Sequence, residues 1–167
     1  MRQFSTLPVD DLFDIFPVPI ETIARRYYGI EIHRRWLPDR IGGILHKFER
    51  RSYLYLNSAH SRQRQRWTIA HEIAHQRLHP IGVYMSGPGR DTRGERAADV
   101  FAAELLMPGD EVRRCLREGM SFDEMVKWFD VSKEAMRLRI KEIVHRELSR
   151  PPECRAIPVN SWALEMV

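Results

Sequence analysis

Residues 67–75 read Trp67-Thr68-Ile69-Ala70-His71-Glu72-Ile73-Ala74-His75, and the last five match the pattern H-E-x-x-H. Residues four apart on a helix share a face, so both imidazoles point the same way. Two imidazole nitrogens placed like that can meet one zinc ion at about 2.0–2.1 Å. Glu72 projects beside them, where it can take a proton from a metal-bound water and pass it to a leaving amine. The plain alternative is an amphipathic helix whose two histidines are satisfied in some other way. Ile69, Ala70, Ile73 and Ala74 favour the catalytic reading, because these small or apolar neighbours suit a buried helix.

A catalytic zinc site needs a third protein ligand and an open fourth position. His79 is the nearest option, but eight residues along a helix is about 12 Å from His71. It cannot reach the same ion on a straight helix. A route that bends the chain to a third His six residues after the second is also closed, since that position is Ile81. His79 reads instead as a helix-end residue favoured by the C-terminal dipole. Glu95 is the better candidate, with Asp99 one turn after it. Glu95 would complete a His₂Glu site, and Asp99 would accept a hydrogen bond from a ligating imidazole and fix its tautomer. Thr92 to Glu95 also reads as a capping box. Glu104, nine residues further on, is the other acid in reach and reads better as a solvent-facing or salt-bridging residue.

Upstream, Pro17 and Pro19 precede a helical stretch, Ile20 to Tyr28, stopped by Gly29. Three strand-like runs follow: Ile30 to Arg34, Ile44 to Phe48, and Ser52 to Asn57. The third alternates Tyr53 and Tyr55 with Leu54 and Leu56, the period of a half-buried strand. The short link Glu49-Arg50-Arg51 predicts an antiparallel hairpin between the last two. The catalytic helix is expected over Arg66 to His79, stopped by Pro80, with a loop over residues 80–91. Further helices are expected over Thr92 to Leu106, over Asp110 to Glu118, and from a capping box at Ser121 and Glu124. The last runs from Lys133 to Leu148, with a tail from Arg150 to Val167. This order predicts an α+β fold with a small antiparallel sheet near the N-terminus and helices afterward. The expected division is a catalytic domain over residues 1–108, a helical part over 109–149 and a tail over 150–167.

Composition agrees with a soluble globular chain: 167 residues, 43% hydrophobic and 30% charged. The longest run free of Asp, Glu, Lys and Arg is Leu78 to Gly89, interrupted by Pro and Gly and far short of the about 20 apolar residues a membrane span needs. Met1 to Asp14 lacks a signal-peptide layout. Cys115 and Cys154 are far apart, which argues against a disulfide framework and a cysteine zinc site. We therefore expect a cytoplasmic protein with no membrane partner. The net charge of +4 permits a nucleic-acid partner without requiring one.

The block Trp67 to His75, followed by Glu95-Arg96-Ala97-Ala98-Asp99-Val100-Phe101-Ala102-Ala103-Glu104-Leu105-Leu106-Met107-Pro108, resembles the ImmA/IrrE metallo-endopeptidases. Arg64-Gln65-Arg66 and the preceding strand pattern fit too, and the resemblance covers roughly residues 15–145. It implies metal ligands at His71, His75 and Glu95, a general base at Glu72, and a zincin-type fold around the catalytic helix. Asp99 stands where that family usually has Asn, and so looks more like the wider gluzincin arrangement Glu-x-x-x-Asp. The resemblance further implies a regulatory protease. Its members cleave a helix-turn-helix repressor of the XRE type and so derepress stress-response or mobile-element genes. Larger members carry a C-terminal sensor domain, for which this sequence is too short. Zinc is the expected metal, with manganese the alternative. Tyr84 and His79 are candidate oxyanion donors, and substrate is expected as an extended strand near Ser52 to Asn57.

Residues 124–143 have helix-turn-helix character, the turn falling at Asp130-Val131-Ser132. Lys133, Arg137 and Arg139 are candidate contacts to DNA or a partner. Residues 132–150 hold six basic and three acidic side chains, a net of +3. Competing readings are a non-catalytic metal-containing regulator that binds DNA or a repressor, and a toxin–antitoxin component.

Overall fold

Alternation along three short runs builds most of the sheet. Ile30 and Ile32, Leu45, and Leu54 and Leu56 are buried, and the residues between them are more exposed. The computed structural model describes residues 8, 10–48, 51–78, 82–86 and 93–150. A 3-10 turn at Asp10–Asp14 leads into α1 (Ile20–Arg26), β1 (Ile30–Arg35), β2 (Gly43–Lys47) and β3 (Ser52–Asn57). Then come α2 (Arg62–Leu78), β4 (Gly82–Ser86), α3 (Arg93–Leu106), α4 (Gly109–Arg117), α5 (Phe122–Phe129) and α6 (Lys133–Leu148). No helix among the described residues is long and apolar enough to cross a membrane. The fold is α+β.

The strand order is β1-β3-β2-β4. β2 and β3 form the antiparallel hairpin, with Leu45 opposite Leu54. β4 adds to β2 antiparallel, with Tyr84 opposite Leu45. β1 runs parallel to β3, Ile32 opposite Leu54, so the sheet is mixed. Helix α1 precedes β1, and the excursion through β2 returns the chain to lay β3 alongside β1. The parallel pairing comes from that return path, which single-strand periodicity does not reveal.

Two further expectations change. The stretch read as a loop over residues 80–91 contains β4. Its run Gly82-Val83-Tyr84-Met85-Ser86 is short and flanked by Gly and Pro, which hid it. β3 lies between β1 and β2, so it offers no edge to a substrate strand. Among the described residues, β4 and β1 are the edges instead.

The chain divides into two compact units, Met1–Leu106 and Met107–Val167. In the first, α2 packs against α3, α1 and strands β2, β3 and β4. Ile69, Ala70, Ile73 and Ala74 are buried, as are Ala98, Ala102 and Leu106 of α3. Alanines on both helices let the two axes approach closely. A fully buried Leu or Ile stabilises by about 1.5–3 kcal/mol, so this apolar layer holds α2 firmly. Gly43 marks another close approach: a Cβ there would stand 2.9 Å from Thr68 Cγ2 and 3.0 Å from Leu54 Cδ1. Buried Asn57 donates to the carbonyls of Leu37 (3.0 Å) and Ile41 (2.9 Å), which fixes the connection from β1 to β2.

The second unit packs Val112, Cys115 and Leu116 of α4 with Met125 and Phe129 of α5 and Met136, Ile140, Ile143 and Val144 of α6. α5 opens with the expected capping box: Ser121 N donates to Glu124 Oε2 (2.8 Å), and Glu124 N donates back to Ser121 Oγ (3.4 Å). It closes on Asp130 in the left-handed region, φ 50°. Ser132 caps α6 by accepting from Ala135 N at 3.1 Å. The tail beyond Arg150 lies outside the described residues.

The basic face of α6 differs from its sequence reading. Arg139 is 3% exposed, and its Nε donates to the Met107 carbonyl at 3.0 Å while Nη1 pairs with Glu142 at 2.9 Å. As a nucleic-acid contact it is therefore corrected to a structural residue. Lys133 and Arg137 are exposed, paired with Asp123 (2.8 Å) and Glu134 (3.1 Å) respectively.

Candidate metal centre

Helix α2 is buried around most of its girth, so His71, Glu72 and His75 face the interior: they are 7%, 0% and 4% exposed. Their ordering depends on groups distant in sequence. Lys47 Nζ donates to the Gln76 carbonyl at 2.6 Å, and Ser52 Oγ hydrogen-bonds Gln76 Oε1 at 2.9 Å. Both fasten the sheet to the turn carrying His75. Arg77 lies over the Phe101 ring at 5.9 Å, joining α2 to α3. No local motif flags Lys47 or Ser52, because these contacts exist only once the sheet has formed.

α3 presents Glu95 and Asp99 on one face, one turn apart. His71 Nε2 and His75 Nε2 are 3.0 Å apart. The Glu95 carboxylate stands 3.3 Å from the first nitrogen and 3.6 Å from the second. Potential ligand atoms of these three residues all lie within 4.8 Å of one another. His71 Nδ1 lies 3.0 Å from Asp99 Oδ1. An anionic carboxylate can only accept, so this contact assigns the proton to Nδ1 and leaves Nε2 with a lone pair. A lone pair from His71, a second imidazole nitrogen and a carboxylate thus converge on one point. That donor set suits a divalent cation of the zinc type.

Electrostatics at the site pull in two directions. Burial works against the charged form of His71, but the Asp99 hydrogen bond and the charges of Glu72, Asp99 and Glu95 outweigh it and raise its pKa. Burial pushes Glu72 up to about 8, with the His71 charge pulling down and Glu95 adding to the rise.

Among the other candidates, Glu104 is exposed on α3. Nine residues is about 13.5 Å of helix, which takes it well along the axis from Glu95. Tyr84 stands on edge strand β4, opposite Leu45. His79 and Thr92 lie outside the described residues.

The family comparison decides the relationship. The family model described as the IrrE N-terminal-like domain, Peptidase M78, matches residues 25–141. The chain belongs to this IrrE N-terminal-like family. Membership makes it a relative of metallopeptidases. No curated protein matches the chain. Among solved structures, a transcriptional regulator from Mycobacterium tuberculosis is similar with a TM-score of 0.56 at 18% identity. The match covers 85% of this chain and 43% of that one, so the IrrE-like chain spans less than half of its neighbour's length. At that identity the likeness concerns the fold alone.

Proposed function

We propose that this chain is a zinc-dependent endopeptidase that cleaves a helix-turn-helix repressor of the XRE type and so derepresses the genes it controls. The observation that carries the reading is the convergence of His71 Nε2, His75 Nε2 and the Glu95 carboxylate beside buried Glu72. Those three side chains would hold the metal, and manganese is the alternative the same donors accept. The chemistry such a site supplies when loaded is Lewis-acid polarisation of a carbonyl and acidification of water.

The chain's own residues do the rest. Asp99 holds His71 in one tautomer and orientation, which keeps its Nε2 basic. Glu72 takes the proton of the attacking water and hands it to the leaving amine. Its buried setting raises its proton affinity toward the neutral range, as a general base requires. The substrate binds as an extended strand along the outer edge of β4, because an edge strand offers unpaired backbone groups. Tyr84 stands on that edge, and we assign it the second donor to the tetrahedral oxyanion.

Incubating the zinc-loaded protein with the XRE-type repressor encoded beside its gene, followed by mass spectrometry, tests the reading. A single new pair of termini, absent with a chelator, is the expected result. An intact repressor with metal content confirmed counts against it.

A further inference from the structure

Gln76 follows the candidate ligand His75 on the last turn of α2, and the sheet grips it at two atoms. Lys47 Nζ donates to its main-chain carbonyl at 2.6 Å, and Ser52 Oγ donates to its Oε1 at 2.9 Å. Lys47 and Ser52 are themselves cross-strand partners, at the end of β2 and the start of β3. One rung of the sheet therefore holds residue 76 by backbone and side chain together. Ser52 is 3% exposed, so its hydroxyl bond lies in the interior.

This turn needs a donor from outside the helix. In a continuing helix the Gln76 carbonyl would accept from the N–H of residue 80, and residue 80 is proline, which has none. Carbonyls of a final turn are orphans until another group satisfies them, and helix ends fray. An ammonium suits that end, because the negative pole of the helix lies there. A cap serving helix stability alone would be complete with the Lys47 bond. The Ser52 grip on the Gln76 side chain adds control over how the turn is rotated about the helix axis. That control matters for a metal ligand, which must be held within about 0.5 Å and 10–20° of its productive geometry. His71 sits one turn further into the helix and is fixed through its ring by Asp99. His75 is fixed through the turn that carries it. Lys47 also stands opposite Gly82 of β4, so the same rung lies beside the strand that forms the outer edge.

We propose that Lys47 and Ser52 are positioning residues that set the placement of His75 for the metal, acting through Gln76, a role that rests on His71, His75 and Glu95 being the metal ligands.

Zinc affinity of the whole chain, read by competition with a chelator of known affinity, tests it. Visible absorption of the cobalt-substituted protein is the second readout, because it reports ligand geometry rather than stability. Lys47→Met and Ser52→Ala should each weaken zinc binding by about tenfold or more and shift the cobalt bands. Lys47→Arg keeps a cationic donor and should stay within about threefold of wild type. Arg139→Met removes a buried hydrogen bond in the second unit and should leave both readouts unchanged. A wild-type protein that takes up no zinc overturns the metal centre and this role with it. Zinc binding by the wild type, with the same affinity in Lys47→Met or in Ser52→Ala, overturns the positioning role and leaves the metal centre standing. Equal losses in Arg139→Met and Lys47→Met, or in Lys47→Arg and Lys47→Met, also overturn it.

Discussion

His71 Nδ1 lies 3.0 Å from Asp99 Oδ1 while the other nitrogen of the same ring faces His75 Nε2 at 3.0 Å. One contact thus sets the chemistry of the other, because the proton assigned to Nδ1 leaves Nε2 as the electron-pair donor. Asp99→Ala should weaken zinc affinity by about 10–100-fold while the fold persists. Competition with a chelator of known affinity reads this directly, and unchanged affinity would remove Asp99 from the account.

Glu95 supplies the oxygen donor of the cluster. Glu95→Ala should lose most of the bound zinc at chelator concentrations that leave the wild type loaded. Glu104→Ala, on the exposed side of the same helix, should keep it. Metal content after dialysis distinguishes them, and equal retention by both would mean that the third ligand lies elsewhere.

The second unit carries a pH-dependent contribution. The Arg114 hydrogen bonds, with a further one from Trp128 Nε1 at 3.0 Å, hold the Glu111 carboxyl below its ordinary value of 4.5. A lowered folded-state pKa gives stability that is present above the unfolded value and lost as pH falls through the folded one. Glu111→Gln should therefore lower stability at pH 7 by less than about 1 kcal/mol, since the pair is partly solvated. The difference should shrink as pH falls through the lowered folded-state value. Urea midpoints of both proteins followed from pH 7 into the acid range check the sign.

Arg139 and Arg137 are two residues apart but should behave oppositely. Arg139→Met leaves the buried Met107 carbonyl without its guanidinium donor and should destabilise by about 1–3 kcal/mol. Arg137→Gln, on the exposed face, should stay within about 0.5 kcal/mol. Thermal unfolding of the two variants decides it.

Much of this was readable from the chain. The H-E-x-x-H spacing, the Glu95–Asp99 pair and the capping box at Ser121 are local rules, and helices and short side-chain spacings follow them. The strand Ser52–Asn57 announced itself by alternation, and the run Ile30 to Arg34 read as strand-like one residue short of its observed end at Arg35. The parallel partnership of β1 with β3 did not, because pairing direction is a property of the path between strands. β4 escaped because five residues among glycines and prolines carry too little periodicity. Arg139 looked like part of a basic face because sequence gives helical spacing but not the depth to which a long side chain is buried. Lys47 and Ser52 reach Gln76 across the sheet–helix boundary, an arrangement no local pattern encodes.

The central claim is that Glu72 is the base and the histidines and Glu95 hold the metal. Measuring zinc content and repressor cleavage together, in wild type and in Glu72→Gln, tests it most directly. The account predicts one zinc per chain in both proteins, with cleavage in the variant reduced by about a hundredfold or more. Cleavage by Glu72→Gln at the wild-type rate, with the same zinc content, would contradict it.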